Sequence, residues 1–65
     1  MTDSVELREV ERLIQVVEDN LRQLQEEATA VSGAADEERI ANRIADQEAK
    51  LAALLRQREV LIGNA

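Results

Sequence analysis

The 65 residues contain no cysteine, histidine, proline or aromatic side chain, and glycine occurs only twice, at Gly33 and Gly63. Each absence removes a class of chemistry or structure. Without cysteine there is neither a disulfide nor a thiolate nucleophile. Without histidine there is no imidazole base and no zinc site of the usual nitrogen–sulfur kind. The Glu-x-x-His pattern of carboxylate-bridged dimetal bundles cannot be written either. The lack of Phe, Trp and Tyr takes away the anchors that dominate many interfaces and the platforms on which single-stranded nucleic acid stacks. The longest wholly apolar run, Leu51–Leu55, falls far short of the roughly 20 residues needed to cross a bilayer. The opening Met1-Thr2-Asp3-Ser4 has no basic region and no apolar core, so no signal peptide is expected and a cytoplasmic chain is.

What remains is acidic and helix-favouring. Fourteen acids face eight bases, a net charge of −6, which disfavours attraction to phosphate backbones. The imbalance lies mostly in the first half. Residues 3–31 carry eight acids against Arg8, Arg12 and Arg22, or −5, and residues 36–62 carry six acids against five bases, or −1. With proline absent and glycine rare, little interrupts long helices.

The first segment has a clear period. Leu7, Val10, Ile14, Val17, Leu21, Leu24, Ala28 and Val31 recur at spacings of three and four, the a/d stripe of a heptad helix. Asp3 and Glu6 have the spacing of a capping box. The second segment repeats the period as Ile40, Ile44, Gln47, Leu51, Leu54, Arg58 and Leu61, with Gln47 and Arg58 as polar interruptions. Asp36 suits an N-cap, with Glu37 and Glu38 beside the positive helix end. Gly63 suits a left-handed C-terminus.

The predicted architecture is therefore all-α, a single domain over 1–65, with helix 1 about 4–31, a turn at 32–35 and helix 2 about 36–62. Gly33 within Ser32-Gly33-Ala34-Ala35 can close the first helix, and two segments of matched length joined by a short turn favour an antiparallel coiled-coil hairpin. One continuous helix in a parallel coiled coil is the structural alternative. The hairpin would pair residues whose numbers sum to roughly 67, at the 1.5 Å rise of each helix. Its core would be Leu7, Val10, Ile14, Val17, Leu21 and Leu24 against Ile40, Ile44, Leu51, Leu54 and Leu61. Asn20 would approach Gln47, and Glu9 would approach Arg58.

Apolar residues exceed what one seam uses. Leu13 and Val16 flank the first stripe, and Leu55 and Ile62 flank the second, with Ala41, Ala45 and Ala52 beside them. Stripes this wide belong to bundle helices. Chains this short usually gain a disulfide, a metal or a second subunit, and only the last is open here. The expectation is a homodimer forming a four-helix bundle, with Leu13, Val16, Leu55 and Ile62 as the candidate association surface.

Candidate reactive groups are weak. Ser4, Ser32, Thr2 and Thr29 have no histidine base, Lys50 is the only lysine, and there is no glycine-rich phosphate loop. Glu18–Arg22, Arg22–Glu26 and Asp46–Lys50 fall at i,i+4, as solvated helix pairs do. Glu26, Glu27, Asp36, Glu37 and Glu38 gather near the turn without the oxygen spacing of a calcium loop. Capping and solubility account for them. No enzyme, cofactor, metal, nucleic-acid or membrane role is expected. The reading is a small bacterial or phage protein–protein interaction module that acts as adaptor or scaffold through apolar helix faces. The alternatives are an acidic inhibitor or nucleic-acid mimic encoded by a mobile element, with Glu11, Glu18 and Glu26 along an outer face, and a small secretion or assembly chaperone.

Overall fold

The computed structural model describes residues 4–63. Two helices make up this span, α1 (Ser4–Ala30) and α2 (Ala34–Gly63), packed against each other along their length. No strand occurs among the described residues. The Cα envelope measures 52 × 14 × 11 Å. One continuous helix of this length would reach about 90 Å at 1.5 Å per residue, so the chain is folded back as a hairpin. The rod is slender. Its radius of gyration is 15.1 Å, against about 11 Å for a compact domain of this length.

Hollows along the contact are lined from both helices and agree with the expected register. Asn20 and Gln47 border the same space, as do Leu24 and Arg43. Leu13 and Leu54 border another, and Val31 and Asp36 a third. These pairs keep the residue-number sum at roughly 67 that equal rise on two antiparallel helices requires.

The link is three residues, Val31 to Gly33, and differs from the expected turn at 32–35. The Glu37 amide donates to the Gly33 carbonyl at 3.0 Å, so Gly33 rather than Asp36 occupies the N-cap. Ala34 and Ala35 are strong helix formers and are absorbed into the first turn. Asp36 then sits inside that turn, hydrogen-bonded to Arg39, where its charge still meets the positive helix end. Gly33 has φ +111°, a conformation that L side chains rarely adopt. Gly63 does not adopt a left-handed conformation; the helix runs to it. The expected cap at Asp3 lies outside the described residues.

Burial is lopsided. Val10, Ile14, Val17, Leu21 and Ile40 are buried, four of them on α1. Leu7, Leu24, Ile44, Leu51, Leu54 and Leu61 are half-buried. Among the described residues no large side chain is enclosed to below 2% exposure. Two rods side by side cover only the line between them, and α2 places Gln47 and Arg58 on its seam where α1 places only aliphatics. The surface, 4869 Å², exceeds the roughly 4,200 Å² usual for a folded protein of this mass.

Candidate association surface

The flanking apolar residues divide between two sides of the rod. Leu13 and Val16 line a groove of about 450 Å³ with Val17, Ala53, Leu54 and Lys50. Leu55 and Ile62 do not border it. Leu13 and Leu55 are half-buried, while Val16 and Ile62 are 42% and 54% exposed. Val5 and Val60, at 64% and 59%, are further exposed aliphatics that the heptad analysis did not single out. Their signal was available, since both lie off the stripes.

The groove continues toward the turn as a second hollow of about 540 Å³, bordered by Gln23, Glu27, Arg43 and Asp46. Asn20, Gln47 and Lys50 border both hollows and form a polar waist between an apolar half and a charged half. Gln47 is half-buried. Its Oε1 is enclosed and accepts no hydrogen bond. The expected approach of Asn20 to Gln47 is thus present as shared lining of the grooves without a hydrogen bond between the two amides.

Three ion pairs among the described residues fall at i,i+3, where the sequence suggested i,i+4 pairs. Arg12 bonds Glu9 at 2.7 Å, Arg22 lies 3.5 Å from Asp19, and Arg39 pairs with Asp36. Glu9 is therefore engaged by Arg12 on its own helix and not by Arg58. The hydrogen bond from Arg12 holds the Glu9 carboxyl below the ordinary carboxylate range and raises the Arg12 guanidinium in turn. Both side chains are more than half exposed. Such pairs contribute little to stability.

Thr29 donates its hydroxyl hydrogen to the Glu26 carbonyl at 2.7 Å, while Ser32 and Lys50 are exposed. Among the described residues no three acidic side chains converge as metal ligands would, and no helix is long and apolar enough to cross a membrane. No protein-family model, curated protein or solved structure matches the chain.

Proposed function

We propose that this protein is a non-enzymatic interaction module of the cytoplasm that associates with itself through an apolar helix face, forming a four-helix bundle that serves as an adaptor or scaffold. The observation that carries this reading is the unfinished core. Ile44, Leu51, Leu54, Leu55 and Leu61 are only half-buried, and Val16 remains 42% exposed beside them. Aliphatic burial contributes about 25 cal/mol per Å² removed from water. A rod that leaves most of one helix's seam half wet has much of that stabilisation still to gain. A second hairpin supplies the missing cover without a disulfide or a nitrogen–sulfur metal site, which a chain lacking cysteine and histidine cannot form.

Sedimentation equilibrium and thermal melting test the proposal together. A dimer should appear at micromolar concentration, and the melting temperature should climb over a roughly hundredfold rise in concentration, because folding is linked to association. A sharp melt at monomer mass that ignores concentration would overturn it.

A further inference from the structure

We infer that the second copy docks on the groove face that carries Leu13, Val16 and Ala53, about a two-fold axis parallel to the rod, so that both turns lie at the same end. This inference rests on the self-association proposed above and adds the face and the orientation.

Three observations point there. The first is area. The face is 52 Å long and about 20 Å wide once side chains are added to two helices. It offers about 1,000 Å² per copy, beyond the ~800 Å² per partner of a standard specific interface. The second is the order of chemistry along the groove. Leu13 lies toward the open end and Glu27 toward the turn, each about 10 Å from Asn20 at 1.5 Å per residue. A two-fold axis perpendicular to the rod at this waist would set Leu13 and Val16 of one copy against Glu27, Arg43 and Asp46 of the other. Burying those charges on aliphatic surface is unfavourable. An axis parallel to the rod keeps every level in place and brings α1 of each copy against α2 of the other. Leu13 and Val16 then meet Ala53 and Leu54, with the long Lys50 side chain at the Val17 level able to carry its ammonium to the rim, and Glu27 comes within one helical turn of Arg43. All neighbouring helices run antiparallel, as in an up-down-up-down bundle.

The third observation is the Gln47 amide, whose enclosed Oε1 has no partner within the hairpin. In the parallel two-fold arrangement Gln47 stands level with Asn20 of the second copy, and Asn20 with Gln47 of the second copy. A carboxamide both donates and accepts, so a Gln47 amide that turns out of the hairpin into the groove finds a partner in the Asn20 amide of the second copy. One such polar layer also fixes register in a bundle of aliphatic residues.

The chain has no cysteine, so Ser32→Cys, at the exposed turn, gives a single spin-label site. Electron–electron dipolar spectroscopy on the dimer should place the two labels within about 30 Å, since neighbouring helices lie 8–10 Å apart. Separations near the 52 Å length of the rod would overturn the orientation while leaving self-association standing. Monomer mass at every concentration would overturn the underlying proposal as well. Two exposed substitutions that leave helicity intact test the face. Val16→Arg should abolish the dimer and Ile62→Arg should leave it, and the reverse pattern would overturn the assignment.

Discussion

The Glu37 amide donates to the carbonyl of Gly33 across 3.0 Å, and this bond sets where the second helix begins. Gly33 holds φ +111° while doing so. A Cβ built there would meet nothing within 4 Å, so any penalty for a side chain is conformational and not steric crowding. Gly33→Ala should therefore destabilise the fold by about 1–2 kcal/mol, the usual cost of a non-glycine residue in such a region. Urea unfolding of the two proteins measures it, and an alanine variant as stable as the parent would refute the role of this backbone.

The two-helix architecture was legible in the sequence because its signals agree. Leu7 to Val31 keep one period, Ile40 to Leu61 keep another, and Gly33 is the only glycine between them. The start of α2 was harder to read. Asp36 has the side chain of an N-cap, yet the backbone of Gly33 takes that position and Ala34-Ala35 extend the helix toward it. The ion pairs differ from the expected ones for a similar reason. Spacings of three and four are both close on a helix, and side-chain conformation chooses between them, as Arg22 does in turning to Asp19. The division of Leu13 and Val16 from Leu55 and Ile62 depends on which side each helix presents once packed. The heptad positions of the two helices already imply that these flanks do not face each other in an antiparallel pair, but not what covers each of them.

Charge should be far more damaging on the buried line than on the half-buried one. Ile14 is 6% exposed, so Ile14→Asp places a carboxylate among aliphatic side chains with no partner. It should cost on the order of 4 kcal/mol or more and abolish helical circular dichroism. Leu51 is half-buried, and a carboxylate there can turn toward water. Leu51→Asp should cost about 1–3 kcal/mol and leave a weakened helical protein. Equal losses at the two positions would contradict the lopsided core.

The Glu9–Arg12 pair carries a defined pH signature. A carboxyl whose pKa is lowered on folding adds stability that is fully present above its unfolded pKa. That stability is lost as pH falls through the lowered value. Arg12→Gln removes the hydrogen bond responsible, so the Glu9 titration should move upward toward the ordinary carboxylate range. Carbon-detected NMR of the Glu9 carboxyl follows this directly. The melting temperature at neutral pH should barely change, because both groups are open to solvent. An unmoved Glu9 titration would show that Arg12 does not hold it.

Gln47 offers the opposite case, a native side chain whose removal should strengthen the fold. Its enclosed Oε1 has no hydrogen-bond partner, and leaving such an acceptor dry costs about 1–3 kcal/mol. Gln47→Leu removes that atom at nearly constant volume and extends the aliphatic line from Ile44 to Leu51. If the hairpin is studied below the concentration at which it associates, the substitution should raise stability by about 1–2 kcal/mol, read as a higher urea midpoint with an unchanged slope. The consequence in the dimer differs. There the amide is answered by Asn20 of the second copy, so the leucine forfeits a hydrogen bond and leaves the opposing Asn20 unpaired. The stabilisation should then shrink or vanish as concentration rises, and spin labels at Ser32→Cys should report a broader spread of separations as the register loosens. A Gln47→Leu protein less stable than the parent when monomeric would mean that the amide is satisfied in solution, and the polar waist would lose its explanation.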